Sequence, residues 1–282
     1  MRIASSWKDY KVISTGDGYK LETWGKFNLL RPDPQVIWHA KSNLFKRKDV
    51  DAYYEKREGG GLWHYNKSLP DSWQISWKDL KFIVKPMGFK HTGIFPEQVV
   101  NWELMQKLVK DSRREIKVLN LFAYTGGASV ALSKAGAIVT HVDASKGMVE
   151  RAKENAKLNN ISNIRFIVDD CQKFIEREIR RGNIYDAIIM DPPSYGRGPS
   201  GEMWKLEDNL ADFVELVKKV VSDNPLFILI NSYTTGLQPT VIANLLKGTF
   251  GKDNVEADEI GLPTCEDYIL PCGATGVKIW KN

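Results

Sequence analysis

From Lys117 onward the chain alternates short apolar runs with longer amphipathic ones. "KVLNLFA", "AIVTHVD", "IRFIV", "YDAIIMD" and "LFILI" have strand length and are rich in Ile, Val, Leu and Phe, the pattern of buried strands. Between them "ASVALSKAG", "SKGMVERAKENAKLNN", "CQKFIEREIRRG" and "EDNLADFVELVKKVV" read as helices, and "TVIANLL" follows the last strand. Gly136 ends the first helix; Ser145 stands as N-cap of the second, and Asn159–Asn160 close it. Two further strand candidates, "VEADEIGL" and "TGVKIW", have no helix between them. The alternation predicts an α/β fold, a Rossmann-like seven-stranded sheet that is mostly parallel with an antiparallel edge strand.

The first hundred residues have a different texture. Runs such as "WQISWKDLKFIVK" alternate with period two and carry Trp, Ile, Phe and Val, so they read as strands. Gly59 to Gly61, and Pro70 with Asp71, punctuate them as turns. "FPEQVVNWELMQKLVKDS" then predicts a helix, with Pro96 in its first turn and Val99, Val100, Leu104 and Leu108 near helical spacing. The expected organisation is a small β-rich domain over 1–95 and the α/β domain over 96–282.

Composition narrows the class. The 282 residues are 43% hydrophobic, ample for a core, and no apolar run reaches membrane-spanning length. "MRIASSWKDYKV" is no signal peptide, and the three cysteines form no CxxC, which fits a reducing cytoplasm. The four histidines show no metal-ligand spacing, so no metal and no membrane are expected. The net charge of +5 is uneven: 21 Lys/Arg against 14 Asp/Glu over 1–115, then 19 against 21, or +7 and −2. A basic N-terminal part suggests an acidic partner, nucleic acid being the usual one. Trp63, Trp73 and Trp77 with Lys67, Lys78, Lys81 and Lys85 fit a packed half-buried sheet better than a base-stacking platform.

In an open α/β sheet ligands bind beyond the C-terminal strand ends. After the first buried strand comes "AYTGGA", a glycine turn leading into a helix whose N-terminus offers unpaired N–H groups. Asp143 follows the second strand, where a carboxylate can take ribose hydroxyls as donors. Asp169 and Asp170 follow the third, where an acid can accept from an adenine amino group, and Asp191-Pro192-Pro193 follows the fourth. The turn lacks G-x-G-x-x-G and G-K-[ST], so a phosphate cradle is missing. Acids for ribose and adenine without that cradle point to S-adenosyl-L-methionine. The strand-end residues assigned to it are Ala123, Tyr124, Gly126, Asp143, Ala144, Ser145, Asp170, Cys171 and Asp191.

These segments carry a resemblance. "LNLFAYTGGASVALSKAGAIVTHVDASKGMVERAKENAKLNN", "FIVDDCQKFI" and "IIMDPPSYGRG" resemble the class I S-adenosylmethionine-dependent methyltransferases, in the branch containing the large-subunit rRNA cytosine-C5 and guanine-N7 enzymes. "HTGIFPEQ" is similar to that branch's K-T-G-x-x-x-D-Q segment, with Glu97 in the place of the acid. The resemblance implies that Thr92, Phe95 and Gln98 contact the cofactor and that rRNA is the partner. It also places "DPPSY" where related enzymes carry [ND]-P-P-[YF]: Asp191 and the Pro192 carbonyl accept from an acceptor nitrogen and Tyr195 stacks on the base, the prolines presetting the geometry. The first hundred residues do not resemble the RNA-binding domain that several relatives carry.

Cytosine-C5 methylation needs a thiolate added at carbon 6. Relatives supply it from a segment after the fifth strand, and here "LINSYTTG" puts Tyr233 in the cysteine's place. A phenol is a poor substitute, so a base nitrogen is the expected target and C5 the alternative. Arg197 and Lys205 stand in a loop whose Gly196, Gly198 and Gly201 suggest a lid. Rival classes are an NAD-binding oxidoreductase and a non-catalytic RNA-binding module.

Overall fold

The computed structural model describes residues 1–88, 90–197, 203–233 and 237–281, Arg197 by its backbone alone. The chain divides into two compact units. One comprises Ile3–Val99 with Gly261–Cys272, the other Met1–Arg2, Val100–Ile260 and Gly273–Asn282.

After a two-residue strand, β1 (Arg2–Ile3), the first unit holds β2 (Tyr10–Gly16), β3 (Tyr19–Trp24), β4 (Phe27–Pro32), β5 (Ala52–Arg57) and β6 (Gly60–Tyr65) in one sheet, in sequence order. The pairs are antiparallel except β4 and β5, which run parallel. Asp17 and Gly18, both at positive φ, make the β2–β3 turn. A separate hairpin joins β7 (Trp73–Trp77) to β8 (Leu80–Val84), whose alternating burial (Leu80, Phe82 and Val84 inside) is the period read from sequence. Residues 261–272 belong to this unit: Cys265 N–H donates to the Val12 carbonyl at 2.9 Å, and Thr15 N–H to Glu266 at 3.2 Å. That stretch lies inside the span read as the second domain.

Tryptophans of this unit are structural. Trp77 is buried with its Nε1–H on Ser6 Oγ, Trp73 donates to the Trp24 carbonyl, and Trp63 to the Met87 carbonyl. Their indole N–H groups serve the fold, and the packing reading prevails over the base-stacking one.

The second unit opens with α1 (Val99–Asp111), preceded by a short 3₁₀ turn at Pro96–Gln98. Then follow β9 (Lys117–Leu121), α2 (Gly127–Lys134), β10 (Ile138–Asp143), α3 (Lys146–Leu158), β11 (Ile164–Val168), α4 (Cys171–Arg181) and β12 (Ala187–Met190). A short hairpin, β13 (Tyr195–Arg197) with β14 (Met203–Lys205), precedes α5 (Leu206–Lys218), β15 (Phe227–Ser232), α6 (Pro239–Phe250), β16 (Val255–Pro263) and β17 (Ile269–Ile279). The sheet order is β1-β16-β17-β15-β12-β9-β10-β11. Strands β9, β10, β11, β12 and β15 are parallel, and β17 is antiparallel to β15. The expected mostly parallel sheet is present with eight described strands instead of seven, β1 being the addition; Arg2 beside it pairs with Glu256 at 3.2 Å. Strand β16 matches its reading to within one residue, whereas β17 starts six residues earlier than read, on the other side of the unit boundary.

The core explains the apolar runs. Leu119, Leu121, Ile188, Met190, Ile228 and Ile230 of the central strands are fully buried, under Phe174 of α4 and Phe213, Val214 and Val217 of α5. Chain order leaves β9 toward β10 and β11, then returns to β12 and β15 on the other side. The strand-end loops of β9 and β12 therefore diverge at a switch point, where such sheets bind ligands.

Candidate cofactor and acceptor site

The loop after β9 is bent tightly. Phe122 and Tyr124 both have positive φ, 54° and 50°, a conformation that costs side-chain-bearing residues free energy and concentrates at functional sites. Hydrogen bonds hold it there: Phe122 N–H to Cys171 Sγ (3.3 Å), Ala123 N–H to the Val142 carbonyl (3.0 Å), Tyr124 N–H to Asp143 Oδ2 (2.8 Å). Gly126 closes the turn at φ 82°. A Cβ on it would meet the Ala152 Cβ at 2.9 Å, so glycine permits close packing of α2 against α3. This internal contact is a second reason for glycine beside the close backbone approach read from sequence.

Asp143 is half-buried at the end of β10. Its Oδ2 takes the Tyr124 N–H and its Oδ1 the Ser145 N–H, each at 2.8 Å, and no cation pairs with it among the described residues. Burial raises its pKa, opposed by those two backbone bonds. A carboxylate has about four acceptor positions, and two are used, so two remain for hydroxyl donors. Ser145 occupies the N-cap position of α3 without a side-chain cap bond; Asp143 supplies the carboxylate there instead. Ala144 and Ser145 are exposed beside it.

The two acids after β11 differ. Asp169 is ion-paired with Arg177. Asp170 caps α4 through Oδ1, which accepts Lys173 N–H at 2.9 Å, and its Oδ2 has no bond among the described residues. Of the pair read from sequence, Asp170 keeps acceptor capacity. Cys171, assigned to the cofactor, has its thiol in the core cluster, 3% exposed and held protonated by burial. Only its first-turn backbone N–H remains for a ligand.

Beyond β12, Asp191 is half-buried, Pro192 buried and Pro193 exposed. The loop expected to be mobile is a built hairpin at its described ends, with Tyr195 opposite Lys205 and Gly196 opposite Trp204; Gly198 and Gly201 lie outside the described residues. Trp204, which sequence reading missed, donates its Nε1–H to the Pro193 carbonyl at 2.7 Å. Its ring packs on Phe122 at 5.7 Å and edge-on against Phe213 at 5.7 Å. One indole thus connects the loop after β9 to the loop after β12. Tyr195 is 50% exposed, its hydroxyl on Met203 Sδ at 2.9 Å.

Asn231 and Ser232 end β15 and Tyr233 follows it, Asn231 accepting from Asn101 Nδ2 at 2.9 Å. The remaining thiols, Cys265 and Cys272, belong to the first unit, as do Thr92, Phe95 and Gln98. Within that unit Thr92 is fully buried and its hydroxyl has no partner among the described residues, Phe95 is half-buried and Gln98 buried.

The donor set can be tested against candidate ligands. Asp143 and Asp170 offer acceptors to hydroxyl and amino groups, and Asp143 has no cation beside it among the described residues. A pyrophosphate would meet carboxylates and no Lys or Arg in "AYTGGASVA". A neutral nucleoside carrying a cationic sulfur meets acceptors and favourable charge, so the residues fit S-adenosylmethionine.

Comparison with known proteins decides the family. The sequence profile of the S-adenosylmethionine-dependent methyltransferases matches residues 21–238. The chain belongs to that family. A crystal structure of a SAM-dependent methyltransferase from Agrobacterium tumefaciens superposes with a TM-score of 0.92 at 33% identity, over 99% of this chain and 93% of that one. Ribosomal RNA large subunit methyltransferase K/L of Pseudoalteromonas translucida is 35% identical over 158 residues, 54% of this chain and 21% of that protein. Ribosomal RNA large subunit methyltransferase I of Aeromonas salmonicida is 30% identical over 164 residues, 56% of this chain and 40% of that protein. This methyltransferase therefore spans about a fifth and two fifths of those relatives.

Proposed function

We propose that this methyltransferase acts on RNA, ribosomal RNA first, at a ring or exocyclic nitrogen of a base. The observation that carries the reading is Asp191-Pro192-Pro193 at the end of β12, beside a β9 loop whose neighbouring carboxylates suit a nucleoside. Support for RNA comes from the names of the relatives and the basic first unit. The free cysteines suit a reducing cytoplasm.

Ala123, Tyr124 and Gly126 shape the cofactor pocket. Asp143 takes the ribose hydroxyls, Asp170 and the Cys171 N–H meet the adenine, and Ala144 and Ser145 line its exposed side. The resemblance assigns Thr92, Phe95 and Gln98 to a cofactor as well, and the buried Thr92 hydroxyl has no partner among the described residues. When bound, S-adenosylmethionine supplies a methyl group already activated on a positively charged sulfur. Asp191 and the Pro192 carbonyl accept hydrogen from the attacking nitrogen and aim its lone pair; Asp191 also stabilises the positive charge that nitrogen acquires. Tyr195 stacks on the base. Pro193 cannot share the carbonyl's task freely, because Trp204 occupies its oxygen.

Nitrogen is favoured over cytosine C5 because no thiol follows β15. Tyr233 stands there, and the Cys171 thiol is buried and protonated. Incubation with labelled S-adenosylmethionine and deproteinised rRNA, followed by nucleoside mass spectrometry, should yield an N-methylated base. The Asp191→Ala variant should retain S-adenosylhomocysteine binding and lose transfer. A 5-methylcytosine product would overturn the nitrogen assignment, and label confined to protein would remove RNA.

A further inference from the structure

The tryptophan–lysine face read from sequence is occupied by the fold's own bonds, so an RNA contact of the first unit must lie elsewhere. Between Pro34 and Lys48 the chain has Lys41, Lys46, Arg47 and Lys48 and no acid. Leu44 of this stretch is buried in a cluster with Leu21, Leu30 and Val50, which pins the segment to the five-stranded sheet. Its neighbour Phe45 is 45% exposed. Phe45 meets Tyr19 edge-on at 4.8 Å and Tyr53 at 5.4 Å, and Tyr53 stacks on His64 at 4.7 Å with 12° between planes. Tyr19, Tyr53 and His64 are each half-buried, so an aromatic row runs along this surface.

Charge is arranged around the row. Nearby carboxylates have partners of their own: Asp17 meets His39 Nδ1, Asp49 holds Arg47, Asp51 holds Lys67, and Glu55 holds Arg57 and meets His64 Nε2. Lys41, Lys46 and Lys48 are exposed and pair with no carboxylate among the described residues; Lys41 lies over the exposed Tyr268 ring, 5.5 Å from its centroid. Uncompensated cations beside half-exposed rings match a polyanion that also carries flat bases. Single-stranded nucleic acid has that chemistry, whereas an acidic peptide leaves the rings unused and a duplex hides its bases.

We infer that the Phe45–Tyr53–His64 row with Lys41, Lys46 and Lys48 is a docking surface for single-stranded RNA, resting on the reading of RNA as acceptor. A base stacks on the row, and the lysines take the phosphates on either side.

Binding of a short fluorescein-labelled oligouridylate to the full chain tests this by anisotropy across a salt series. Combining Lys41→Glu, Lys46→Glu and Lys48→Glu should weaken binding by about a hundredfold at low salt and flatten the log-affinity salt slope by about 2. Phe45→Ala should weaken it by about tenfold and leave that slope unchanged. S-adenosylhomocysteine affinity by calorimetry should be unaltered in both, which also reports an intact chain. A lysine variant that binds within about twofold of the natural chain overturns the surface while leaving RNA as partner. If Phe45→Ala is neutral and heparin binds as well as the oligonucleotide, the site is a general polyanion patch and the inference fails. If the natural chain binds no RNA at all, the acceptor reading falls, and this surface falls with it.

Discussion

Glu22 of the first unit and the strand-end acids Asp143 and Asp170 of the second are held in opposite ways. In the first unit Glu22 is fully buried and closed off: Arg31 grips it with two bonds of 2.7 and 2.9 Å, Tyr10 donates to it at 2.7 Å, and Lys20 lies 3.7 Å away. Burial pushes its pKa up, but Arg31, Lys20 and these bonds prevail and hold it at about 2. In the second unit Asp143 and Asp170 take only backbone N–H groups and retain spare lone pairs, and burial lifts Asp143 with no cation to oppose it. A carboxylate saturated by cations holds a fold together. One held in place by amides, with capacity left, is prepared for a partner from outside.

The largest effect expected from this contrast is in the first unit. Arg31→Met leaves Glu22 buried without its main cation and should cost about 3–5 kcal/mol by denaturant unfolding. The same network gives a pH signature. Glu22 titrates near 4.5 when unfolded and about 2 when folded, so its stabilisation is full above 4.5 and fades as pH falls toward 2. His91, held down to about 4 by burial and by Arg31, Lys90 and Lys20, adds a loss that begins as pH falls through 6.5 and is complete near 4. Unfolding midpoints across pH 7 to 2 should fall in those two stages, and a flat profile would sink the assignment.

A smaller and different effect is expected at Asp143. Asp143→Ala should weaken S-adenosylhomocysteine binding by about 1–3 kcal/mol in calorimetry, the cost of hydroxyls left without acceptors. Unchanged affinity would mean that its spare lone pairs serve no ligand. The smallest concerns Trp204. Trp204→Phe keeps a ring against Phe122 and Phe213 but removes the donor to Pro193, and should cost about 0.5–1.5 kcal/mol. We expect that cost in methyl transfer more than in S-adenosylhomocysteine affinity; an equal loss in both would make the indole purely structural.

Much of the second unit was legible because each buried strand ends abruptly in polar residues, so Asp143, Asp170 and Asp191 stand out at the ends of apolar runs. Sequence could not separate Asp169 from Asp170, since their difference depends on Arg177 returning one turn and more along α4. Nor could it show Trp204: three-residue strands carry too little periodicity to reveal a hairpin. In the first unit no sequence pattern links Glu22 to Arg31. Their meeting is a product of β3–β4 register, in which Glu22 faces Leu29 and Lys20 faces Arg31, and that register is not written in either segment alone. The tryptophans were read correctly as packing because their alternation carried the burial pattern.

Residues 261–272 have a consequence for the order of events during synthesis. Strand β2 leaves the ribosome early, but the residues that cap Val12 and Thr15 are made only after α6 and most of β16. The parallel strands β9 to β15 and their helices are complete by then. Although domains commonly fold in the order in which they are made, here the unit that holds β2 must wait for residues 261–272, and a nascent chain stopped after α6 carries it unfinished.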